Sequence, residues 1–471
     1  MSVSQLIPSA TNGSLTPDFL ADLRNEYAMS EGDRACHNAV TNNAIDSLVL
    51  NRNVMSGDDG HFSHRVRSKG IMNQQRSGRC WMFAAMNVMR PQVVRDHKMD
   101  EFHFSHAYLQ FWDKLEKSNM YLESIIELRE VDFLDREWEI INKMSLEDGG
   151  WWNFAASLVE KYGVVPDSVM PETHSSQNTD TLNHILERLL RVWATRILEG
   201  HRNGMGEEKL RAQKEEALKE VYRFLVLNLG EPPAEFEWRY KRSKAGDDAN
   251  GSDASAETNT TEVSTLTSAE RYTPKSFYKK YVGLPLSEFV CLYHDPNNEL
   301  NQHYSFKRAH NIIGNASMHF VNVAPAEMKK IAVASILDNQ PLWFAVDMKF
   351  DHSEKHGVLQ HQLYDYEALF GLDLTVSKED RLRLHTGIAG HAMALMGVDL
   401  DENKTPLKWL VENSWGEDKG NKGRWTMHND WFDEHVYTII AHKRHVPEEI
   451  LECFKSKPTE LPCWYPAARM S

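Results

Sequence analysis

Cysteine is scarce in this 471-residue chain: the five present, Cys36, Cys80, Cys291, Cys453 and Cys463, are widely spaced and no two form a CxxC pair. An odd, scattered set argues against a disulfide framework or a zinc cage and points to a reducing compartment, so a cytoplasmic location is expected. Long apolar runs are missing too. None approaches the ~20 residues of a membrane-spanning helix, so no membrane association is expected. The opening Met1 to Pro8 lacks both the basic n-region and the long h-region of a secretory leader. Positive charge is in deficit, with 53 Lys and Arg against 68 Asp and Glu and a net charge of −15. That balance counts against a nucleic-acid partner bound through its phosphates. What remains, 41% hydrophobic and 26% charged residues, is the composition of a globular protein, long enough for more than one structural unit.

The most informative stretch is Asn73-Gln74-Gln75-Arg76-Ser77-Gly78-Arg79-Cys80-Trp81. It sets one cysteine at a glycine-marked turn, ahead of a run in which eight of the nine residues from Trp81 to Met89 are apolar. Such a run belongs to a buried helix. Ser77 and Gly78 are start signals, so Cys80 is expected in the first turn, where unpaired backbone N–H groups and the helix dipole favour a thiolate. Gln74 lies upstream, with an amide able to donate to an oxyanion held above the sulfur.

Along the chain, Thr16 and Pro17 read as the start of a short helix, and a helical or mixed segment follows from His37 to Leu50. Arg90-Pro91 is expected to kink or end the Cys80 helix. An aromatic-rich helix is expected from Phe102 to Lys117. Asp148-Gly149-Gly150-Trp151-Trp152 pairs glycines that let a ligand backbone approach with tryptophans that supply apolar walls. From Thr179 to Gly230 the apolar periodicity predicts a two-helix insertion. Residues 243–268 hold almost no large apolar side chain and read as a disordered loop. From Val282 onward short strands dominate, with one helix at Ala326 to Leu337. An α+β protein follows, whose second half is a curled or closed antiparallel sheet. His61 and His64 read as a surface pair, and His97, His103 and His106 lack the carboxylate or cysteine that would complete a ligand set. No metal and no cofactor are therefore expected.

Two later segments supply the partners a reactive thiol needs. Thr386-Gly387-Ile388-Ala389-Gly390-His391 places His391 at the entrance of an apolar strand, and Trp409 to Gly416 ends the next strand on Asn413, with Trp415 available to shield it. A neutral Asn orients an imidazole without adding a second negative charge beside the thiolate. Thiol and imidazole together are expected to form an ion pair at neutral pH.

In this order and with these neighbours, the chain resembles the bleomycin hydrolase and aminopeptidase C family, a cytosolic branch of the papain-like cysteine peptidases. Ser77-Gly78-Arg79-Cys80-Trp81 keeps the glycine, cysteine and aromatic of the papain-type signature, with Ser77 where that signature has a first cysteine. Phe111 to Asn119, Asp148-Gly149-Gly150, Glu160 to Pro166, Val411 to Glu417 and His445 to Glu449 carry the likeness along nearly the whole chain. The resemblance implies Cys80 as nucleophile, His391 as general base and acid, Asn413 as its orienter and Gln74 as oxyanion donor beside the Cys80 backbone N–H. It implies that Gly149 and Gly150 line the substrate backbone, and that a C-terminal arm lies in the cleft and holds the substrate's α-amine at Ser471. The arm's last five residues, Ala467 to Ser471, depart from the family's usual Gly-Ala-Leu-Ala ending.

The implied fold is α+β and papain-like: a helical lobe (70–166) and an antiparallel β-barrel-like lobe (282–445), with an N-terminal extension (1–69), a helical insertion (167–281) and the arm (446–471). The implied activity is that of a cysteine aminopeptidase on peptides and bleomycin-like amides, assembled as a homo-hexameric ring. Three other readings stay open. An endopeptidase would lack the blocking arm. A ring-forming nucleic-acid-binding scaffold would be retained by DNA at ~0.15 M salt. An acyltransferase would need an amine acceptor.

Overall fold

The protein is described here by a computed structural model that covers residues 13–27, 29–55, 59–143, 146–242 and 265–468. Its backbone falls into two compact units, residues 1–56 with 362–375, and residues 57–361 with 376–471. The first unit is helical. Thr16 caps Pro17–Glu26 by accepting from the Phe19 N–H at 3.2 Å, and Ser30 and Asp33 form a capping box for Glu31–Asn42. The 362–375 segment returns to this unit, where the Asn51 N–H donates to the Leu363 carbonyl at 2.9 Å.

The second unit contains a sheet of mixed direction and every described residue of the candidate site. Its strands lie in the spatial order His352–Ser353, Val358–Leu359, Arg424–His428, Pro406–Glu412, His391–Leu400, Leu342–Val346, Val436–His442, Phe289–Tyr293, His319–Asn322, His303–Phe306 and Thr459–Leu461. His64–Arg65 pairs separately with the far half of the His391 strand. The expected antiparallel sheet is corrected at three places. Val358–Leu359 runs parallel to Arg424–His428, Phe289–Tyr293 to His319–Asn322, and Thr459–Leu461 to His303–Phe306. Each parallel pair joins segments separated by a long excursion of chain, which brings the second strand in from the same end as the first.

The Cys80 helix runs Cys80–His97, buried from Cys80 through Pro91, and packs on the His391 strand. Of the two outcomes expected at Arg90-Pro91, the helix does not end there but continues past Pro91 for six more residues. A proline inside a helix costs ~3 kcal/mol. Here it is flanked by Val88, Met89 and Val93, each at most 1% exposed, and their burial at ~1.5–3 kcal/mol per side chain outweighs that cost. The following helix, His106–Glu127, begins four residues later than the sequence predicts because the Ser105 hydroxyl caps it.

The two-helix insertion is present as Thr179–Arg202 and Glu207–Leu229. Of the 243–268 loop, residues 243–264 lie outside the described residues. Thr265–Leu266 is not loop but a short strand paired with Lys241–Arg242. The C-terminal arm contains, among its described residues, the helix Glu448–Cys453, the strand Thr459–Leu461 and a 3₁₀ turn at Pro466–Ala468. Among the described residues no helix is long and apolar enough to cross a membrane.

Candidate active site

Cys80 is the first residue of its helix, as the glycine-marked turn predicts, and Arg79 precedes it without a side-chain cap. With no capping side chain, N–H groups of the first turn stay available to a charge on or near the sulfur. The Cys80 sulfur lies within hydrogen-bonding reach of the backbone N–H of Ala392, the residue after His391, so the start of the helix faces the start of the His391 strand.

His391 Nε2 lies 2.8 Å from Asn413 Oδ1, and the same oxygen accepts the Ser414 backbone N–H at 2.8 Å. A backbone N–H can only donate, so this amide oxygen is an acceptor, and His391 Nε2 must carry the hydrogen. The neutral imidazole then has its lone pair on Nδ1. The ring is fixed further by Trp415, whose centroid is 4.7 Å away, and Trp415 in turn packs edge-on against Trp425. Trp415, which the sequence offers as a shield for Asn413, thus packs on the His391 ring.

Gln74 joins the group from the other side. Its Oε1 accepts from the Ser414 hydroxyl at 2.6 Å, and its backbone N–H donates to the Ser414 carbonyl at 2.8 Å. With the oxygen held, Nε2 turns toward the nucleophile turn, where one hydrogen goes to the Ser77 carbonyl. An amide nitrogen has two hydrogens, so one remains to donate.

Burial sets the resting protonation. Cys80 is 3% exposed and His391 6% exposed. Desolvation pushes the Cys80 thiol up to about 11 and the His391 imidazole down to about 4, the Asn413 hydrogen bond only partly countering the latter. Burial by itself favours the neutral form of each group and so works against the ion pair expected from the sequence. The physical reason is that each charge alone loses its water, whereas the sequence reading weighed only the attraction between the two.

The glycine segment is fastened to the nucleophile turn by Asp148, whose role the sequence reading missed. Its carboxylate accepts from the Gly78 N–H at 3.0 Å, Thr179 Oγ1 at 2.5 Å and Asn183 Nδ2 at 2.9 Å, and pairs with Lys114 Nζ at 2.6 Å. Burial opposes its charge, but the Lys114 ammonium and these hydrogen bonds more than offset that and hold the carboxyl well below the usual carboxylate range. Its carbonyl accepts from Trp81 Nε1 at 2.7 Å. Lys114 also reaches the Leu146 carbonyl, and Lys117 reaches those of Glu147 and Gly149 at 2.9 and 2.7 Å. The signal was present as two lysines within the aromatic-rich helix, a place where an unpaired ammonium would be costly.

Gly150 sits flat on Trp81, since an added Cβ would come within 2.6 Å of the indole ring. Gly149, Gly150 and Trp151 line a cavity of about 150 Å³ together with Cys463 and Ala468 of the C-terminal arm. That arm is anchored by Tyr465, whose hydroxyl donates to Asp295 at 2.7 Å, and by the buried Ala467. Cys80, His391, Asn413 and Gln74 are thus brought together, Gly149 and Gly150 adjoin them through Asp148, and Ser471 lies outside the described residues. One further tie crosses the site: Arg90 of the Cys80 helix pairs with Glu412, next to Asn413, both almost fully buried.

Comparison with known proteins places the chain in a family. Residues 14–468 match the model of the Peptidase C1-like family. Aminopeptidase C of Streptococcus thermophilus is 34% identical over 460 residues, spanning 97% of this chain and 99% of its own. Aminopeptidase W of Lactobacillus delbrueckii subsp. lactis is 34% identical over 454 residues, covering 96% of this chain and 97% of its own. A crystal structure of PepW from Lactobacillus rhamnosis superposes with a TM-score of 0.90 at 31% identity, over 98% of this chain and 100% of that one. The chain belongs to the Peptidase C1-like family, among the cysteine peptidases of the bleomycin hydrolase and aminopeptidase C group.

Proposed function

We infer that this cysteine aminopeptidase cleaves the first residue from peptides, and that it does so with Cys80, His391, Asn413 and Gln74 in the roles the family resemblance implies. The observation that carries the reading is the oxygen of Asn413, which accepts from the Ser414 N–H and so fixes the His391 lone pair on Nδ1. His391 Nδ1 takes the Cys80 proton as the sulfur attacks the scissile carbonyl carbon. The oxygen of that carbonyl gains the negative charge and is met by the Cys80 backbone N–H and the remaining Gln74 hydrogen. The C–N bond then breaks, the departing amine takes the proton from His391, and a thioester remains on Cys80. Water, deprotonated by His391, displaces the sulfur, which recovers its proton.

Transferring the proton inside the pair keeps its net charge at zero, so the thiolate forms without importing a charge into a buried site. The cost that holds the resting thiol neutral is met when a substrate carbonyl arrives to use the charge.

Restriction to the N-terminus fits the arm. Ala468 shares a cavity with Gly149 and Gly150, the segment proposed to hold the substrate backbone. A longer peptide running upstream of the cut would compete with the arm for that space. Residues 70–166 and 282–445 would serve as helical and barrel-like lobes, with a cytoplasmic homo-hexamer and bleomycin-like amides as further family expectations. The test is a matched pair of aminoacyl-coumarin substrates, one with a free amine and one N-blocked. The full chain should prefer the free amine strongly, and deletion of residues 467–471 should narrow that preference. Equal rates on both substrates for the full chain would instead indicate an endopeptidase.

A further inference from the structure

We propose that Asp351, His361 and His435 form a binding site for a divalent transition-metal ion of the zinc class, at the same end of the sheet as His391. The three side chains offer ligand atoms that all lie within 4.8 Å of one another. His435 is the anchor. It ends the helix Asn429–His435, is 2% exposed, and has no hydrogen-bond partner on either ring nitrogen. Leaving a buried polar group unpaired costs ~1–3 kcal/mol. Packing beside Trp431, at 4.6 Å between centroids, accounts for the ring's apolar faces but not for its two bare nitrogens. A metal ion, which binds neutral imidazole through such a lone pair, would use one of them.

The other two residues arrive with the right spacing. His361 Nδ1 lies 3.5 Å from Asp351 Oδ2. Metal–ligand bonds of ~2.0–2.1 Å in a tetrahedron put neighbouring ligand atoms ~3.4 Å apart, so these two already stand as adjacent corners. A plain ion pair would explain Asp351 and His361, whose side chains are partly exposed, but would leave His435 unexplained. Two imidazoles and one carboxylate suit zinc, cobalt or nickel rather than calcium or magnesium, which favour all-oxygen sets. Three protein ligands leave a fourth position for water.

Two cations, Arg381 and Lys378, lie near enough to His435 to oppose a further positive charge. Arg381 is paired with the Glu434 carboxylate at 3.3 Å, and Lys378 donates to the Val436 carbonyl, so the charge of Asp351 is what offsets them at the site. Asp347 adds negative charge from below: its N–H donates to the His435 carbonyl at 3.0 Å, and its buried Oδ2 has no partner.

The position gives the ion a consequence. Val346 pairs with His391 on one side and with Val436 on the other. His435 therefore immediately precedes a strand that lies two places from the His391 strand, or ~10 Å at the usual strand spacing. An ion there would pin the 347–361 segment, which leaves the strand between them, to the end of the His435 helix. It would brace the histidine side of the active site while taking no part in bond breaking.

Cobalt(II) is the probe, because its visible spectrum separates nitrogen and oxygen ligation from thiolate ligation. Titrating the metal-stripped, full-length protein should show one equivalent bound with ligand-field bands and no thiolate-to-cobalt charge-transfer band. The same spectrum should persist in Cys80→Ala, which removes the competing thiol. His361→Ala, Asp351→Asn and His435→Gln should each weaken binding at least tenfold. His361 and Asp351 are partly exposed, so those two variants should keep their circular dichroism even where His435→Gln does not. Zinc should raise the melting temperature of the parent and not of His361→Ala. Unchanged cobalt binding in His361→Ala, a charge-transfer band that vanishes in Cys80→Ala, or no binding at micromolar cobalt would each overturn the proposal.

Discussion

The two walls of the candidate site are held by different means. On the nucleophile wall, one buried carboxylate, Asp148, ties the Gly78 turn, the Thr179 helix and Lys114 together. On the histidine wall, His391 begins a strand flanked along its length by Leu342–Val346 and Pro406–Glu412. A ladder spreads its stabilisation over many backbone hydrogen bonds of ~1 kcal/mol each, none of which depends on a side chain. A single buried charge concentrates it. The histidine wall should therefore tolerate loss of its reactive side chains without loss of shape, and the nucleophile wall should not tolerate loss of Asp148.

The largest effects are expected at the reactive groups, with the fold untouched. Cys80→Ala should abolish peptidase activity while circular dichroism and melting temperature stay close to the parent's, because the variant removes only a sulfur from the start of a helix. His391→Ala should lose ~10²–10⁴-fold in kcat/KM, the usual worth of a positioned acid and base. Asn413→Ala should cost less than His391→Ala, since Trp415 still confines the ring. A larger loss at Asn413 than at His391 would mean that the amide does more than orient, and the division of labour on this wall would have to be redrawn.

Much of this arrangement was legible in the sequence, and the reason differs between the walls. Cys80, His391 and Asn413 stand where local rules operate: a glycine turn before a helix, the start of an apolar strand, and the end of the next strand. Periodicity also found both insertion helices. Asp148 was not legible because nothing local distinguishes a carboxylate beside two glycines from a turn residue, and its partners Gly78, Lys114 and Thr179 converge only in the fold. The burial that disfavours charge on Cys80 and on His391 escaped for a similar reason, since desolvation depends on what covers a group. The parallel pairing of Thr459–Leu461 with His303–Phe306 joins segments too far apart in sequence for any local pattern to reveal.

Asp148→Asn is the sharpest test of the contrast between walls. It keeps the shape of the side chain and removes its charge, so Lys114, 1% exposed at its side chain, loses its ionic partner. Breaking one side of a buried pair costs ~3–5 kcal/mol. Chemical denaturation should show that loss, and kcat should fall because the Gly78 turn that positions Cys80 loosens. An equal stability for Asp148→Asn and the parent would show that the nucleophile wall is held as diffusely as the other.

Acidification should separate the walls more gently. His391 is held at about 4, His435 at about 2 and His294 at about 3, with burial the largest cause in each case, and all three lie on or beside the sheet. A histidine depressed in the folded state takes up its proton first in the unfolded state, so between pH 6.5 and 4 unfolding binds protons and stability falls as pH falls. His391 alone would contribute a loss of about 3 kcal/mol across that window, from a shift of roughly 2.5 units. Asp148 is depressed from 3.8, so its contribution is still present at pH 5 and is lost only as the pH drops below about 4. His106, stacked on Phe83, and His97 at the end of the Cys80 helix are also held below their ordinary range by burial, and they bring the earlier window to the nucleophile wall. Urea midpoints for the parent should therefore decline steadily from pH 7 to pH 4.5, before Asp148 titrates. His391→Phe, with no proton to gain, should show a shallower decline over the same range, whereas Asp148→Asn should start lower and fall with the parent's slope. Parallel declines for the parent and His391→Phe would mean that water reaches the imidazole in solution, and the neutral resting pair would no longer be the starting point of the reaction.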